Sequence, residues 1–531
     1  MSDVHATDLT ASGWQAEADE IVRRHRWAED QGGEESVARH HAQGRLTIRE
    51  RIRNLVDDGS FQEIGKLAGT ASYEGTTVKH VTPAPYVTGL ARLDGRDVAI
   101  GGEDFTVRGG TTWGGDRRKG GQGGFVEDMA FNYRIPLINL VDGAGGSVTS
   151  ARRRGHTVFP GVSGFEQSVR LLGLVPVVSA VMGTAAGGPA GRVILSHWSI
   201  MIKETSQIFA AGPPVVERSL GHKVDKETLG GSKMAVDTAG TVDNIAANEI
   251  ECFSMIRRYL SYMPQSVYEL PPVYACEDPI DRCDEQLLNI VPRDRRHPYN
   301  MRKLIEKVVD NDSIFELQPT FGRSLITSLA RLDGKVVGLI ANNPMVSGGA
   351  MDVKAARKQI HFIELCDTFH IPIIFLVDVP GFMVGVQAES AATLREGMRA
   401  VYAGLQATVP ILTVVIRKCY GMAGMGSTDK NGLDLKLAWP SAEWGSLPVE
   451  GGVAAAFKRE IAQAPNPLVR QRELEEELRL LASPFRTAEA FGVEDIIDPR
   501  QTRPVLCRFV NAAQHRLSTD LGPKYRSGVR P

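Results

Sequence analysis

Leu90-Ala91-Arg92-Leu93-Asp94-Gly95 recurs letter for letter as Leu329-Ala330-Arg331-Leu332-Asp333-Gly334, so the numbering of the two copies differs by 329 − 90 = 239. A second segment behaves in the same way. Ile135-Pro136-Leu137-Ile138-Asn139-Leu140-Val141-Asp142 corresponds to Ile371-Pro372-Ile373-Ile374-Phe375-Leu376-Val377-Asp378, at an offset of 371 − 135 = 236. A repeat of this length decides which fold the chain can have.

Two further matches extend the repeat. Val175-Pro176-Val177-Val178 corresponds to Val409-Pro410-Ile411-Leu412, at an offset of 409 − 175 = 234. Asp58-Gly59-Ser60-Phe61 is echoed more weakly by Asn311-Asp312-Ser313-Ile314. Convergent strand sequences are the alternative explanation. Segments that keep their order and nearly their offset favour two homologous domains of roughly 240 residues each, which is an ordinary domain size.

Each half alternates short apolar runs with amphipathic stretches. Continuous β-branched runs are typical of strands buried on both faces, and the stretches between them have helical periodicity. This alternation predicts right-handed crossovers and a mostly parallel sheet covered by helices, so the expected fold class is α/β with two similar domains in tandem. The predicted strands are residues 135–141, 175–182, 371–377 and 411–416, and the clearest predicted helices are residues 164–172 and 355–369.

Residues 270–298 are rich in proline and charge, which predicts a linker between the halves. We therefore place an N-terminal domain at residues 1–285 and a C-terminal domain at residues 286–531. The first 43 residues are polar. We expect them to form a helical arm that packs on a neighbouring subunit.

Composition narrows the class of protein. The 531 residues carry a formal net charge of −2, which argues against a nucleic-acid binder because phosphate neutralisation needs a basic excess. No apolar run approaches the roughly 20 residues that span a bilayer, and the first residues lack the pattern of a signal peptide. The six cysteines show no CxxC spacing and the 12 histidines no metal-ligand spacing. We expect a cytoplasmic protein with reduced thiols, no membrane contact and no metal site.

Glycine clusters follow three of the predicted strands. In open α/β folds, ligands bind beyond the carboxyl ends of the strands, where glycine allows backbone N–H groups to approach an anion closely. The dipole of a following helix assists, so each cluster is a candidate oxyanion hole. A tight turn is the simpler explanation of any single cluster, but paired clusters at equivalent strand ends favour oxyanion sites. The clusters are residues 143–147, 183–188 and 421–426.

Proline narrows the choice of donors in the first half. Pro189 has no N–H group, so the donors there are Gly187 and Gly188. The offset of the third pair of segments (409 − 175) places their equivalents at Gly421 and Met422. The sequence therefore offers one candidate oxyanion hole in each half.

The sequence contains no obvious side-chain base. It has no GxSxG nucleophile motif, no HExxH zinc motif and no GxxxxGK[ST] phosphate loop. Asp104, Asp142 and Asp378 lie near strand ends and are candidate acids or bases, although capping of the following turn or helix is the simpler role for each. Two oxyanion holes without a side-chain base suit chemistry in which a cofactor supplies the base.

Several short motifs identify a resemblance to a known family. The chain resembles the carboxyltransferase (beta) subunits of biotin-dependent acyl-CoA carboxylases, the propionyl-CoA carboxylase group of the crotonase superfamily, over nearly its whole length. The order and spacing of the motifs make the resemblance specific. They are Gly44-Arg45-Leu46-Thr47-Ile48-Arg49-Glu50-Arg51-Ile52, Asp104-Phe105-Thr106-Val107-Arg108-Gly109-Gly110, Ala186-Gly187-Gly188, Leu229-Gly230-Gly231, Asn342-Asn343-Pro344-Met345, Asp378-Val379-Pro380-Gly381-Phe382, Arg417-Lys418-Cys419-Tyr420-Gly421 and Ala438-Trp439-Pro440-Ser441-Ala442-Glu443.

The resemblance implies two crotonase-like domains, each a ββα spiral, which accounts for the repeat. It implies that the N-terminal domain binds the acyl-CoA and the C-terminal domain the carboxybiotin. The active site would lie between the N-terminal domain of one subunit and the C-terminal domain of another, in a homohexamer. Gly187 and Gly188 would hold the enolate oxygen of the thioester. Met422 and Ala423, one residue beyond the positions given by the offset, would hold the ureido oxygen of biotin.

The resemblance also implies that the cofactor supplies the base. Carboxybiotin would release carbon dioxide, the biotin enolate would take the α-proton, and the substrate enolate would attack the carbon dioxide. Eight further residues are implied to border the biotin and coenzyme A sites: Gly145, Gly146, Gly421, Gly424, Met425, Pro380, Gly381 and Phe382.

The expected partners follow from two missing motifs. The sequence contains neither an Ala-Met-Lys-Met biotinylation motif nor an ATP-binding glycine loop. A partner must therefore carry biotin, and the carboxylation of biotin must occur elsewhere. We expect a biotin carboxylase/biotin carboxyl carrier subunit as the partner, and coenzyme A only as part of the substrate.

Two departures from the family pattern concern the substrate. Tyr420-Gly421-Met422-Ala423-Gly424 stands where the family usually has Tyr-Gly-Gly-Ala-Tyr. We expect the space of the lost aromatic ring to accommodate the Met422 side chain, and the position often linked to acyl-chain selection falls near Met425. Residues 143–147 differ from the usual Gly-Gly-Gly-Ala-Arg. The basic clusters nearby are candidates for binding the phosphates of coenzyme A, or simply a solvated surface; they are Arg117, Arg118, Lys119, Arg152, Arg153 and Arg154.

Three other functions fit the same residues. A biotin-dependent acyl-CoA decarboxylase or transcarboxylase would use the same fold. A chain that has lost biotin use would decarboxylate a malonyl-type CoA directly. A non-catalytic assembly partner is the alternative from another class, and the intact Gly187-Gly188 pair argues against it. The acyl group of the substrate stays open.

Overall fold

The computed structural model describes residues 13–111, 118–121, 123–145, 152, 155–157, 159, 163–427 and 435–525. The strands are β1 (Gln62–Ile64), β2 (Gly69–Glu74), β3 (Thr77–Pro83), β4 (Tyr86–Leu93), β5 (Arg96–Glu103), β6 (Leu137–Gly143), β7 (Val177–Ala186), β8 (Trp198–Ile202), β9 (Gln207–Phe209), β10 (Asn244–Ala246), β11 (Phe315–Leu317), β12 (Leu325–Leu332), β13 (Lys335–Asn342), β14 (Ile373–Val379), β15 (Ile411–Tyr420), β16 (Leu435–Ala438), β17 (Glu443–Gly445) and β18 (Asp495–Ile496).

The helices cover the sheets and fill the connections between strands. They are α1 (Gln15–Glu29), α2 (Glu34–His41), α3 (Ile48–Leu55), α4 (Phe125–Tyr133), α5 (Ser163–Leu171), α6 (Gly188–Ile194), α7 (Pro213–Leu220), α8 (Lys226–Gly230), α9 (Glu249–Leu260), α10 (Leu287–Ile290), α11 (Met301–Val308), α12 (Val353–Thr368), α13 (Val386–Ser390), α14 (Thr393–Gln406), α15 (Gly421–Met425), α16 (Val449–Ala456), α17 (Lys458–Gln463), α18 (Pro467–Leu481), α19 (Pro484–Glu489) and α20 (Thr502–Leu517). A π-helical turn spans Lys233–Thr238. No helix in these described ranges has the length and apolar character needed to cross a membrane.

The first sheet belongs to the N-terminal half. Its strand order is β1-β4-β5-β6-β7-β8-β10, with β9 paired to β7. β1, β4 and β5 are antiparallel neighbours, and the pairs from β5 onward are parallel. Every residue of β6 is buried, as the continuous apolar run predicted.

The second sheet has the same order, β11-β12-β13-β14-β15-β16-β18, with β17 paired to β15. Its antiparallel and parallel pairs fall at the same places. The strands therefore correspond one to one, from β1 and β11 through β10 and β18. The predicted α/β fold with two similar domains in tandem is confirmed.

The repeated Leu-Asp-Gly segment forms the same turn in both halves. The Asp57 carboxylate accepts a hydrogen bond from the Gly95 N–H at 2.8 Å, and the Asp310 carboxylate accepts one from the Gly334 N–H at 2.8 Å. Gly95 and Gly334 have φ angles of 79° and 73°, a region that glycine enters without steric cost. The repeated residues therefore form the tight turn of the β4–β5 hairpin in the first half and of the β12–β13 hairpin in the second.

The predicted carboxyl ends of two strands need correction. β7 continues from the expected end at residue 182 to Ala186, and β15 continues from residue 416 to Tyr420. The added residues pair with β9 and β17, respectively. They were missed because they break the continuous apolar run that identified the strands.

The largest hydrophobic core extends across both halves. Trp198 of β8 stacks on Tyr259 of α9 with ring centroids 4.8 Å apart, and Phe315 of β11 meets Trp198 edge-on at 5.4 Å. The Asn244 side-chain amide also donates to the Glu316 carbonyl at 3.1 Å. The two halves are therefore packed against each other.

The described part of the N-terminal arm is helical and packs on its own chain. The ring of Trp27, on α1, meets the ring of His80, on β3, at 5.7 Å. The Gly32 N–H donates to the Thr106 hydroxyl at 3.0 Å. Packing of this arm on a neighbouring subunit stays a prediction.

Residues 261–300 connect the halves and contain one short helix, α10. This low content of regular structure agrees with the predicted linker. The domain boundary between residues 285 and 286 stays a prediction.

Candidate active site

The central strands of the two sheets share one irregularity near their carboxyl ends. The register between β6 and β7 shifts after Val141, and the register between β14 and β15 shifts after Val377. Such bulges bend a strand and re-aim the residues that follow. Beyond the bulge, β7 pairs with β9 and β15 with β17. The two strand ends are therefore re-aimed in the same way.

Each re-aimed strand leads into a glycine in the left-handed region. Gly187 has a φ of 60° and Gly421 a φ of 59°, and the third pair of repeated segments has the same offset as these two glycines. The short helix α6 begins at Gly188, and α15 begins at Gly421. Because the first N–H groups of a helix have no partner within it, both turns present backbone donors. The two predicted donor loops therefore begin at equivalent glycines with nearly the same φ, although α15 begins one position earlier in the repeat than α6 does.

The helices behind these loops are short, at 7 residues for α6 and 5 for α15. Few aligned peptide units contribute to their dipoles, so the dipole assists less than the sequence suggested. The individual N–H groups are the relevant donors. Pro189, inside the first turn of α6, provides none.

A buried carboxylate anchors the bulge in the first half. Asp142 forms ion pairs with Arg45 and with Arg51, whose Nη1 lies 2.9 Å from Asp142 Oδ2. Arg51 also donates to the Met182 carbonyl at 3.1 Å and to Glu249 at 2.8 Å. Burial alone would lower the pKa of Arg51, but the two carboxylates hold that pKa above its usual value. Capping was the wrong role for Asp142, because two arginines distant in sequence reach it.

Asp378 anchors the bulge in the second half. Arg417 Nε lies 3.1 Å from Asp378 Oδ2, and the Lys418 N–H donates to Asp378 Oδ1 at 3.2 Å. The Asp378 N–H donates to the Asn342 side chain at 3.0 Å. Arg417 Nη1 also donates to the His297 carbonyl at 2.9 Å. Asp378 is thus a fully buried ion-pair partner and not a cap.

The two anchors take their arginines from different places. Positions 183 and 417 are equivalent, because they are separated by the same offset as Gly187 and Gly421. Gly183 has no side chain, and the guanidinium of Arg45 fills that space so closely that any Cβ at position 183 would overlap it and Asp142. In the second half the arginine is Arg417, on the strand itself. The same kind of ion pair is therefore assembled from two different segments.

Asp104 does cap a turn, as predicted. Its Oδ1 accepts hydrogen bonds from the Thr106 N–H at 3.0 Å and from the Thr106 hydroxyl at 2.5 Å. Burial raises the pKa of this carboxyl, although Thr106 and Arg49 oppose the rise.

A second ion pair fixes the donor loop of the first half to the sheet. Arg192 of α6 is buried, and its Nη2 lies 2.5 Å from Glu103 Oε1. Glu103 Oε2 accepts the Asp142 N–H at 3.2 Å. Burial alone would lower the pKa of Arg192, but Glu103 raises it above its usual value. The helix that begins at Gly188 is thereby tied to β5 and β6.

Gly145 lies beside the donor loop of the first half. It has a φ of 81°, and a Cβ there would come within 2.6 Å of the Ala186 carbonyl oxygen. The Thr111 hydroxyl donates to the Gly145 carbonyl at 3.2 Å. The structure thus brings Gly145 next to Gly187, and glycine is needed at position 145 for this close approach.

Part of the predicted site lies outside the described residues, namely Gly146, Arg117, Arg153 and Arg154. Arg118 pairs with Asp128 at 2.6 Å. Lys119 is buried 3.7 Å from Glu63, and burial lowers its pKa to about 8. Lys119 is therefore not part of an open basic surface, whereas the Arg118 side chain is 60% exposed.

The donor loop of the second half presents methionine to solvent. Met422 and Met425 are 41% and 55% exposed, whereas Ala423 and Gly424 are buried. A Cβ at Gly424 would lie 3.0 Å from Cys419 Sγ. A side chain at position 424 would therefore overlap Cys419. That the space of the lost aromatic ring accommodates the Met422 side chain stays a prediction.

Pro380, Gly381 and Phe382 follow β14 and are partly exposed. The Gly381 carbonyl accepts the Met351 N–H at 3.1 Å, and the Phe382 ring fills the space beside Gly397 of α14. Because β14 and β15 are parallel neighbours, this segment and the Gly421 loop share one edge of the sheet.

An apolar stripe runs along the outer face of α14. Leu394, Met398 and Leu405 are exposed, and together with Val401 and Tyr402 they line a groove of about 630 Å³. Apolar residues that alternate at spacings of four and three are typical of a helix that packs against another helix.

Sequence reasoning missed the arginines that hold the bulges and one contact of the linker. Arg45 and Arg51 belong to a recognised motif, but their carboxylate partner lies far along the chain. Arg295 of the linker pairs with Glu443 at 2.5 Å, which no local pattern indicated. The signal that could have revealed Arg45 is a comparison of equivalent positions in the two halves. Position 417 is an arginine, whereas its equivalent, position 183, is a glycine, so the first half must take its arginine from another segment.

Two homologous α/β domains with paired backbone-donor loops define a duplicated crotonase-like protein. The carboxyl transferase domain model matches residues 39–527. The chain belongs to the carboxyl transferase domain family. The predicted family, fold and carboxyltransferase class are confirmed at this level.

Relatives and solved structures agree with this assignment. The chain is 35% identical to the propionyl-CoA carboxylase carboxyltransferase subunit of Haloferax mediterranei, over 91% of this chain and 93% of that one. It is 34% identical to the methylmalonyl-CoA decarboxylase subunit alpha of Propionigenium modestum, over 89% of this chain and 91% of that one. It also matches the transcarboxylase 12S structure, a hexamer solved with methylmalonyl-coenzyme A bound, with a TM-score of 0.87 and 30% identity over 99% and 100% of the two chains.

Proposed function

We propose that the chain is the carboxyltransferase subunit of a biotin-dependent acyl-CoA carboxylase. It moves a carboxyl group from carboxybiotin on a partner protein to the α-carbon of an acyl-CoA. The pair of equivalent donor loops carries the proposal, because the reaction has two oxygens that gain negative charge, one on the thioester and one on the ureido ring. Each loop can stabilise one of these two oxygens with its backbone N–H groups.

The first-half loop is the candidate site for the thioester. The N–H groups of Gly187 and Gly188 hold the enolate oxygen, and each such donor typically contributes about 3 kcal/mol of transition-state stabilisation. Among the described residues, no atom outside Gly187 and its two chain neighbours lies within 4 Å of the position that a Cβ on Gly187 would take. A ligand oxygen therefore has room to approach. Gly145 borders this loop, and the predicted contacts of coenzyme A are Gly145 and Gly146.

The second-half loop is the candidate site for biotin. Bound carboxybiotin supplies the carboxyl group and the base. The N–H groups of Met422 and Ala423 hold its ureido oxygen, while the strict offset favours Gly421 and Met422 instead. The exposed thioethers of Met422 and Met425 suit an apolar bicyclic ring, since methionine adapts to irregular apolar surfaces.

The remaining predicted residues border the same edge of the second sheet. Pro380, Gly381 and Phe382 form one wall beside the loop, and Gly424 supports it from within. The partner that carries biotin is a biotin carboxylase/biotin carboxyl carrier subunit. The described cysteines are unpaired, which supports a reducing cytoplasm as the location.

The site is proposed to form between subunits of a homohexamer. The apolar stripe of α14 supports this, because a stripe with that spacing favours a covering helix from another copy. The transcarboxylase 12S relative is described as a hexamer assembly. In this arrangement the N-terminal half of one subunit faces the C-terminal half of another.

A decarboxylase or transcarboxylase is the second candidate. A methylmalonyl-CoA decarboxylase subunit and transcarboxylase 12S match the chain at nearly the same identity as the carboxylase subunit does. These functions use the same transfer in the other direction, so the two donor loops serve all of them.

The test is transfer in the reverse direction with free biotin. The purified chain is incubated with methylmalonyl-CoA, with and without biotin, and formation of propionyl-CoA and carbon dioxide is followed. Biotin-dependent formation is expected. Equal formation without biotin indicates a biotin-independent decarboxylase. No conversion of methylmalonyl-CoA or malonyl-CoA under any condition contradicts an enzymatic function and favours an assembly partner.

A further inference from the structure

The linker between the halves reaches the two strands that support the donor loop of the second half. Arg295 Nη2 lies 2.5 Å from Glu443 Oε2. Two residues later, the His297 carbonyl accepts Arg417 Nη1 at 2.9 Å, and the Arg417 guanidinium lies 4.9 Å from the centre of the Tyr299 ring. Residues 295–299 thus contact β15, which ends at this loop, and β17, which pairs with the end of β15.

Glu443 is the buried partner in the Arg295–Glu443 ion pair. It is the first residue of β17 and pairs with Lys418 of β15, two residues before Tyr420 and the loop. Its side chain is 7% exposed, and a buried carboxylate is costly unless a cation neutralises it. The position of β17 against β15 therefore depends on a cation at Glu443.

The charged and titratable groups around Glu443 leave this role to Arg295. Burial raises the pKa of Glu443, and Arg295 is the foremost group that opposes the rise. The Lys418 ammonium is occupied elsewhere, 3.1 Å from the Gly348 carbonyl and 3.6 Å from Asp378. Among the described residues, the charged and titratable groups that act on Glu443 include Arg295, Lys418, Glu450, Asp378 and Tyr420.

The first half does not need such a cation. The equivalent of Glu443 is Gln207, because each is the first residue of the short strand that pairs with the end of β15 or β7. Gln207 is neutral. Arg295 of the linker thus pairs with a carboxylate, Glu443, that has no charged equivalent in the first half.

We propose that Arg295 is a positioning residue for the biotin-side donor loop. By neutralising Glu443 it holds β17 against the end of β15 and so fixes the direction of the Met422 and Ala423 N–H groups. The loop's role toward biotin rests on the proposed function. Positioning of the loop by the linker is a separate statement that can be tested without turnover.

The pair has an asymmetry that makes the proposal testable. The Arg295 side chain is 46% exposed and the Glu443 side chain 7%. Removing Arg295 leaves a buried charge without its partner, whereas removing Glu443 leaves an arginine that water can solvate. Arg295→Met is therefore expected to harm the loop much more than Glu443→Gln does.

The first measurement is the transfer from methylmalonyl-CoA to free biotin across neutral and alkaline pH. Arg295→Met is expected to lose at least about tenfold in kcat/KM for biotin at alkaline pH. The loss shrinks as pH falls, because Glu443 without its arginine becomes protonated at a higher pH than in the wild-type protein. Protonation removes the unpaired buried charge. Arg295→Lys recovers part of the activity, and the double variant with Glu443→Gln loses the added pH dependence. Arg296→Met, an exposed arginine of the same segment, is the control and keeps wild-type activity.

The second measurement is hydrogen exchange of the amides of residues 421–425, with propionyl-CoA binding as a control for the other half. Arg295→Met accelerates exchange in this loop and leaves propionyl-CoA affinity unchanged. If exchange in Arg295→Met matches wild type, or if the double variant is no better than the single one, Arg295 does not position the loop. If exchange responds as expected but wild-type enzyme shows no biotin-dependent transfer, the proposed function fails and the positioning role stands.

Discussion

The bulge of the first half is held by Arg45, which comes from the segment before α3, whereas the bulge of the second half is held by Arg417, which belongs to β15 itself. Arg45 meets Asp142 near the end of β6 and Arg417 meets Asp378 near the end of β14, and the first glycines of the two loops have nearly the same φ. The duplicated chain has thus kept the geometry of the loop while changing the segment that supplies the charge. In such a protein, the role of a residue follows from its position in the folded structure. The residue at the equivalent sequence position of the other repeat need not have the same role.

The loops themselves differ in a way that suits different ligands. The first loop presents Gly187 and Gly188, which leave the backbone accessible. The second presents Met422 and Met425, whose side chains are exposed. A small thioester oxygen needs only the backbone, and a bicyclic ring also gains from apolar contact. The comparison therefore supports different roles for the two loops.

The largest effect is expected for Gly188→Pro. Proline removes one N–H donor and is compatible with the first turn of a helix. The loss of one oxyanion donor typically costs about 3 kcal/mol, which lowers turnover roughly a hundredfold. Acyl-CoA affinity changes little, because the enolate charge develops only in the transition state. A folded, assembled variant with near-normal kcat contradicts the role of this loop.

The matched change in the second half separates two assignments of its donors. Ala423→Pro is expected to reduce biotin-dependent transfer by a similar factor, on the order of a hundredfold, while propionyl-CoA binding stays normal. Met422→Pro alters a donor common to both assignments and serves as the positive control. If Ala423→Pro keeps its activity and Met422→Pro does not, the donors are Gly421 and Met422, as the offset indicates.

A smaller effect comes from rebuilding one half in the manner of the other. Arg45→Ala removes a charged hydrogen bond to buried Asp142 and is expected to cost about 2 kcal/mol of the free energy of unfolding. Adding Gly183→Arg to that variant copies the second half in sequence only, because a Cβ at position 183 would still overlap Asp142 Oδ1. The double variant is therefore expected to be no more stable than Arg45→Ala alone in urea unfolding. A double variant that regains stability contradicts this and indicates that positions 183 and 417 are interchangeable.

The last effect is an acid dependence of stability that belongs to the first half. Burial, with Arg45 and Arg51 close by, lowers the pKa of His40 to about 4 from its usual 6.5. Between these values the unfolded chain binds the extra proton, so His40 makes stability fall as pH drops from about 6.5 to about 4. His40→Gln should show a shallower decline of the melting temperature across this window. Parallel declines for both proteins contradict a buried neutral histidine.

The sequence allowed the architecture to be predicted further than the site. The repeated turns and apolar runs predicted two mostly parallel sheets, because the local sequence pattern determines strands and hairpins. The ion pairs were less accessible: Asp142 and Arg45 are 97 residues apart, and Asp378 and Arg417 are 39 apart. Such contacts depend on where the chain returns after folding, which no local pattern records.

The central claim is that the two loops do different jobs and that each site combines loops from two subunits. It is tested most directly by mixing Gly188→Pro and Ala423→Pro subunits through reversible dissociation and reassembly, and then measuring biotin-dependent transfer. In random pairs, about a quarter of the sites combine an intact first-half loop with an intact second-half loop from the other subunit. We predict recovery of about a quarter of wild-type activity from two inactive proteins. If the mixture stays as inactive as its components, although mass spectrometry shows mixed assemblies, the two loops do not form a shared site between subunits.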